Sequence, residues 1–268
     1  MAIATCNGID IYYERAGAGE QLLFISGSGA DLRNQPNQFD SALADHFDLI
    51  SYDQRGLGQT TNPVGEFTMQ QYADDAAALL DDLNLQQVRV MGVSFGGMVA
   101  QEFAICYPDK VSRLVLACTS AGGEGGASYP LHELTTLQPE ERAEKQLRVA
   151  DTRRSDDWIQ ANPTKWGEWI EMATAGQRAS RESDQKAGAI KQLEARQWHD
   201  TFERLPELNM PVLLVGGEFD GIAPPANMQA MHAKIANSEL KFFTGGHMFL
   251  AQDDSSYPYI IQWLEVST

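Results

Sequence analysis

The stretch Val90-Met91-Gly92-Val93-Ser94-Phe95-Gly96-Gly97-Met98 decides the fold. A valine-rich apolar run leads into it, and an apolar run with helical spacing (Met98, Val99, Phe103, Ala104) leads out. Between them lies Gly-x-Ser-x-Gly. A strand that breaks sharply into a helix, with serine at the break, is a nucleophile elbow. A serine hydroxyl is a weak nucleophile, so it must stand clear of the backbone where a base can reach it. Gly92 and Gly96 carry no Cβ, which lets strand and helix pass close together while Ser94 takes a strained conformation. The N–H of Phe95, at the helix start, then points to where an oxyanion would form. A small-residue turn without chemistry fits the same five residues, so the rest of the chain decides between the two.

Working outward, the neighbouring segments alternate. Ala2–Cys6 and Ile9–Glu14 are β-prone runs joined by Asn7-Gly8, a hairpin signal. Gln21–Ser26 is a continuous apolar run of the kind buried on both faces of a sheet, and it ends in Ser26-Gly27-Ser28-Gly29. Such a loop is either a flexible turn or a cradle of N–H groups for a ligand. Gln35–Asp45 reads as a helix, Phe47–Tyr52 as a strand, and Thr68–Leu83 as an amphipathic helix by its period. Val88–Val93, Phe95–Tyr107 and Val111–Cys118 continue the rhythm of strand, helix, strand. That order predicts a parallel α/β sheet with helices on both faces.

The rhythm breaks at the glycine cluster Gly122–Gly126. From about Tyr129 to Leu205 no strand-like run appears, and Trp158, Trp166, Trp169 and Trp198 fall in this stretch. It reads as an all-helical insertion, whose tryptophans either form its core or line a pocket. The α/β pattern resumes with a strand over Pro211–Gly216, a helix over Pro224–Ile235, a strand over Glu239–Phe243 and a closing helix over Ser255–Val266. The expected organisation is a core of residues 1–124 and 206–268 with a helical cap over 125–205.

Composition narrows the partners. A formal net charge of −17 over 268 residues argues against nucleic acid or an anionic membrane surface. Three scattered cysteines (Cys6, Cys106, Cys118) build no disulfide framework, and two of them lie in apolar runs, as buried thiols do. No secretory pattern and no bilayer-length apolar stretch is visible, which makes the cytoplasm the expected compartment. A monomer or a homodimer is compatible with the acidic surface.

Ser94, Asp220 and His247 each follow an expected core strand at its carboxyl end, where open α/β sheets bind ligands. Their order along the chain is that of a Ser–Asp–His relay. His247 would take the Ser94 proton and later protonate the leaving group, while Asp220 orients the imidazole. Gly245 and Gly246 would let the loop carry His247 over the sheet edge. His46, His132, His199 and His232 lack such a setting. Glu218 and Glu124 are rivals of Asp220, which is preferred because its longer loop can turn inward. Besides Phe95, the second oxyanion donor is expected to be the N–H of Ser28. Gly27, Trp166, Trp169 and Met248 are the expected pocket residues.

On these segments the chain resembles the cap-bearing α/β-hydrolases along essentially its whole length. The matching pieces are Tyr52-Asp53-Gln54-Arg55-Gly56-Leu57-Gly58, Gly92–Met98, Gly217-Glu218-Phe219-Asp220-Gly221-Ile222-Ala223-Pro224 and Gly245-Gly246-His247. The resemblance implies a mostly parallel eight-stranded sheet flanked by helices, with an inserted helical cap, and neither metal nor organic cofactor. The sequence likewise has no HExxH, no paired CxxC and no Walker-type loop. Within the superfamily it is most similar to 3-oxoadipate enol-lactonases and related small carboxylesterases. Where most members carry His-Gly-x-Gly, this chain has Ser26-Gly27-Ser28-Gly29, and enol-lactonase-like members share both that departure and a following Asp-Leu, here Asp31-Leu32.

The expected activity is hydrolysis of a small ester or lactone through an acyl-Ser94 intermediate. A C–C bond hydrolase or perhydrolase would use the same residues, and a non-catalytic ligand sensor could reuse the fold. Haloalkane dehalogenases and epoxide hydrolases are disfavoured, because they place an aspartate where Ser94 stands.

Overall fold

The computed structural model describes residues 2–179 and 183–266, with side chains left out of the description at 176–185. In chain order the main elements are β1 (Ala2–Cys6), β2 (Ile9–Ala16), β3 (Gln21–Ile25), α1 (Leu43–His46), β4 (Asp48–Tyr52), α2 (Met69–Asp82), β5 (Val88–Val93), α3 (Phe95–Cys106) and β6 (Val111–Ala117). Four helices follow: α4 (Pro139–Ala150), α5 (Asp156–Ala161), α6 (Pro163–Ala179) and α7 (Ser183–Gln197). The chain then forms β7 (Val212–Gly217), α8 (Pro225–Lys234), β8 (Ser238–Phe243), α9 (Phe249–Gln252) and α10 (Ser256–Glu265). Among the described residues, the stretch between β6 and β7 holds no strand.

The eight strands form one sheet in the order β1-β2-β4-β3-β5-β6-β7-β8. Pairing is antiparallel for β1 with β2 and for β2 with β4, and parallel from β4 through β8, so β2 alone runs against the rest. Asn7 and Gly8 take φ of 50° and 75°, the two left-handed residues that a tight hairpin with native twist requires.

Alternation along the strands explains why the sheet is covered on both faces. Leu23, Ile25, Val90, Leu114, Leu116, Val212 and Leu214 point to one apolar layer, with α2, α3 and α8. Leu22, Phe24, Met91, Val115, Ala117, Leu213 and Val215 point to the other, with α1 and α10. Successive side chains of a strand face opposite ways, so an unbroken apolar strand needs two apolar layers.

One expected element is different. The stretch 35–45 is not a single helix but a 3-10 turn at Gln38–Asp40 followed by the four-residue α1. Asn37 caps that turn: its side chain accepts from the Phe39 N–H, and Asp40 accepts from the Asn37 N–H in return. A self-capped turn after Pro36 closes before a longer helix can propagate. By contrast, α2 begins where Thr68 and Gln71 form the same reciprocal cap one turn ahead of an apolar stripe.

The chain leaves β3 toward β4 on one side and, after α2, returns to β5 on the other. At such a reversal the loops at the carboxyl ends diverge and leave a crevice. The Ser26–Gly29 loop and the Ser94 turn face each other across it.

Candidate active site

Ser94 sits between β5 and α3 with φ 56° and ψ −118°. A side chain at Gly96 would place its Cβ 2.0 Å from the Ile25 carbonyl oxygen, and one at Gly92 would lie 2.4 Å from the Gly96 carbonyl oxygen. Only glycine at both places lets α3 start this close to β3 and β5. The Ser94 N–H donates to Ala117 O, and Ser94 O accepts from Gly97 N–H, Met98 N–H and the Thr119 hydroxyl. The strained residue is thus held from both sides, leaving its hydroxyl to project.

Asp220 and His247 reach it from the ends of β7 and β8. Asp220 is buried, and its Oδ1 accepts from the N–H groups of Ile222 (2.8 Å) and Ala223 (2.9 Å). Its Oδ2 lies 2.8 Å from His247 Nδ1. A carboxylate only accepts, so Nδ1 carries the proton, and Nε2 faces Ser94 Oγ at 2.9 Å as an acceptor. The imidazole is aimed by its backbone: His247 N–H donates to Ala150 O, and Phe219 N–H to Gly245 O. A Cβ at Gly246 would lie 2.1 Å from the Ala150 oxygen, which is why the residue before His247 is glycine. Glu218 and Glu124, the alternative acids, are exposed.

The remaining expected residues separate into those at the crevice and those away from it. Phe95 is the first residue of α3, so its N–H has no partner within the helix. A Cβ at Gly27 would lie 3.5 Å from Ser94 Cβ, which puts the β3 loop beside the serine. Ser28 is exposed on that loop, and among the described residues nothing takes its N–H. The loop is clamped by the Tyr52–Gly58 segment: the Gln54 side-chain amide donates to Ser26 O, and Asp53 accepts from the N–H groups of Leu32 and Gln59. Burial raises the Asp53 carboxyl to about 6, partly opposed by those two backbone donors. Gly27 also borders a cavity of about 280 Å³, lined by Phe24, Val93 and Leu250 among others.

Trp166 and Trp169, expected as pocket residues, lie on α6. They form an aromatic cluster with Trp158, at ring separations of 6.5 and 5.5 Å, covered by Arg148, Arg154 and Lys165. Indole rings one helical turn apart on α6 face the same neighbour, and here that neighbour is α5. Neither lines the two described cavities. Met248 adjoins His247 but is 59% exposed. Of the other histidines, His46 pairs with Glu265, His232 with Ser238, and His199 is buried. Cys118 is buried, whereas Cys106 is only half-buried.

Cys118 Sγ lies with Asp220 and His247 in a group whose ligand atoms are within 4.8 Å of one another. It is a poor cation site. Asp220 and His247 are already bonded to each other, and burial raises the Cys118 thiol well above its ordinary range, so the thiolate a metal needs is disfavoured.

Two residues at the crevice escaped the sequence reading, Gln192 and Arg196. Helix α7 crosses the sheet edge. Its Gly188 abuts Gly56 after β4, its Lys191 donates to Pro63 O, and its Gln192 Oε1 accepts the Gly29 N–H at 2.8 Å. One turn on, Arg196 is buried where the field of Asp220 reaches it. In sequence these are polar residues in a polar helix, with no spacing that separates them from a solvated face.

The chain belongs to the alpha/beta hydrolase fold family, whose model matches residues 21–254. It is 30% identical over 250 residues to a poly(3-hydroxyalkanoate) depolymerase of Ectopseudomonas oleovorans, spanning 91% of this chain and 84% of that one. It is 25% identical to 3-oxoadipate enol-lactonase 2 of Acinetobacter baylyi over 96% and 94% of the two chains. Among solved structures, a thermophilic esterase from Thermogutta terrifontis superposes with a TM-score of 0.75 at 26% identity, covering 98% of this chain and 97% of that one.

Proposed function

We propose that this protein is a serine hydrolase that cleaves a small carboxylic ester or lactone through an acyl-Ser94 intermediate. The observation that carries the reading is the unbroken relay Ser94–His247–Asp220, at 2.9 and 2.8 Å, on a serine held at φ 56°. Ser94 Oγ attacks the carbonyl carbon as its proton passes to His247 Nε2. The tetrahedral oxyanion is stabilised by the N–H groups of Phe95 and Ser28. His247 then protonates the departing alkoxide or enolate, and water activated by the same nitrogen releases the acid and restores Ser94. Residues 125–205 act as a cap over the core formed by 1–124 and 206–268. The position of α7 across the sheet edge supports that division.

The names of the relatives support C–O cleavage, one a lactonase, one a depolymerase of a polyhydroxyalkanoate and one an esterase. The test is to treat the protein with a small fluorophosphonate, locate the adduct by mass spectrometry, and assay short p-nitrophenyl esters and lactones. Labelling at Ser94 together with multiple turnover is expected. An unlabelled Ser94 overturns the mechanism, and labelling without turnover of any ester or lactone overturns the substrate class.

A further inference from the structure

The chain that leaves β3 carries a pair of buried polar groups that the relay does not use. Ser26 and Gln38 are both buried, and Ser26 Oγ and Gln38 Nε2 have no hydrogen-bond partner among the described residues. Their neighbours are committed. Asn37 donates to Leu32 O and Asn34 O and accepts from the Phe39 N–H, and the Gln54 amide donates to Ser26 O. Elsewhere in the core, the Gln101 amide donates to Gly97 O and Ser120 O and accepts from the Thr201 hydroxyl. A buried amide N–H or hydroxyl left unpaired is costly, and beside a cavity that cost is relieved when a ligand supplies the partner.

Both residues line the cavity of about 280 Å³, whose apolar walls include Phe24, Leu32, Val93 and Leu250. A cavity of about 150 Å³ already admits a benzene ring, so a ring or a chain of several carbons fits this one. It adjoins the serine turn. Val93 precedes Ser94, and a Cβ at Gly27 would lie 3.5 Å from both Ser94 Cβ and Val93 O. Ser94 is not itself part of the wall, so a group seated here belongs to an arm of the substrate beyond Gly27 and not to the bond being broken. Charge decides what that arm can be. Among the described residues no lysine, arginine or histidine lines the cavity, whereas Asp31 and Asp53 do. Asp31 is held by Arg33 at 2.6 Å, and the two Asp53 oxygens accept the N–H groups of Leu32 and Gln59. Both carboxylates are engaged, and their charge disfavours an anion beside them. The net charge of −17 acts in the same direction. What the cavity offers a ligand is an amide N–H and a hydroxyl, donors suited to a neutral oxygen.

We propose that this cavity is a substrate subsite for an uncharged arm bearing an oxygen acceptor (a ketone, ester or ether oxygen), which Gln38 Nε2 and Ser26 Oγ bind. Gln38 and Ser26 are then specificity residues and take no part in the chemistry. The inference rests on the reading of Ser94 as nucleophile for turnover only; the subsite itself stands or falls on binding.

The test uses the full chain and the monomethyl esters of levulinic, isocaproic and succinic acid, whose far ends are a ketone, a branched alkyl group and a carboxylate of similar shape. The acetates of the primary alcohols with the same far ends vary the other side of the bond. Turnover is followed by acid release, and binding by calorimetry on Ser94→Ala. In at least one series the native protein is expected to favour the ketone over the alkyl member in kcat/KM by about five- to tenfold, the worth of one neutral hydrogen bond. The carboxylate member of that series is expected to be the poorest. In Gln38→Leu the ketone and alkyl members become equal within about twofold, chiefly through KM of the ketone. Ser26→Ala weakens the same preference. If Gln38→Leu melts early, Ser26→Ala and the native series decide alone. Equal kcat/KM and equal binding of ketone and alkyl members in both series overturn the proposal and leave the cavity to water. A preference for the carboxylate member in both series overturns it too. So does a loss in Gln38→Leu shared by all three members, which would make Gln38 a prop of the loop. If no ester is turned over and Ser94 takes no label, the hydrolase reading fails, while binding of the ketone member against the alkyl member still decides the subsite.

Discussion

The loops at the ends of β5, β7 and β8 and the helix that crosses above them solve opposite problems. In the loops, polar groups satisfy one another. Asp220 takes three hydrogen bonds, Ser94 O takes three, and the His247 main chain is tied to Ala150. Backbones approach so closely that glycine is required at 92, 96 and 246. On α6 and α7, buried polar atoms stay open: Gln192 Nε2, Arg196 Nε and Thr174 Oγ1 have no partner among the described residues. Machinery that must be in place before a substrate arrives is satisfied internally, which keeps its geometry from drifting. The helical side lacks that internal satisfaction among the described residues.

That contrast can be broken most directly at its rigid end. Ser94→Ala removes the proposed nucleophile and is expected to lower kcat for esters by about 10⁶-fold while unfolding normally in urea. Residual turnover near the native rate would show that the relay does no chemistry. Next in size is Gly246→Ala. The new methyl group would fall 2.1 Å from Ala150 O, so either His247 or Ala150 must shift. A loss of about 1–3 kcal/mol in urea unfolding is expected, with a fall in kcat from misdirected imidazole. A Gly246→Ala variant as stable and active as the native chain would mean that the loop is loose after all.

The helical side gives smaller effects. His199 is held neutral by burial, its pKa lowered from 6.5 to about 3, with Arg196 and Arg204 adding to the shift. A histidine whose folded pKa is depressed contributes stability that is present above the unfolded pKa and lost as pH falls below it. Between pH 7 and pH 5 the protein should therefore lose about 2 kcal/mol through this group. Urea titrations of the native chain and of His199→Gln at both pH values measure it as the difference in slope, and parallel slopes would refute it. Smallest is Gln192→Ala, which frees the Gly29 N–H and loosens the loop bearing Ser28. Roughly a tenfold drop in kcat is expected, because a modest misplacement of a donor already costs about this much. An unchanged kcat would show that the loop is positioned from the Gln54 and Asp53 side alone.

Much of the sheet is legible from the chain because its signals are local. Val88–Val93 is apolar apart from Arg89, Asn7-Gly8 can hardly be anything but a tight turn, and Thr68 with Gln71 announces a helix at the start of its stripe. The 35–45 stretch reads as one helix because a self-capping Asn37–Asp40 turn competes with helix propagation and leaves much the same residues buried. The tryptophans are ambiguous for a different reason. Indole spacing along α6 fixes that Trp166 and Trp169 share a face, but not which neighbour that face meets.

What the sequence determined by itself, then, is the order of strands and helices and the three residues at strand ends, since glycine, proline and apolar period act through bonds a few residues long. Tertiary structure alone decided that residues 94, 220 and 247 stand within hydrogen-bonding distance, because their separations depend on strand order and register across 153 residues of chain. It alone also decided that Gln192 and Arg196 face the crevice rather than water. Burial is a property of what a helix packs against, and a polar side chain carries no mark of it until the fold has closed over it.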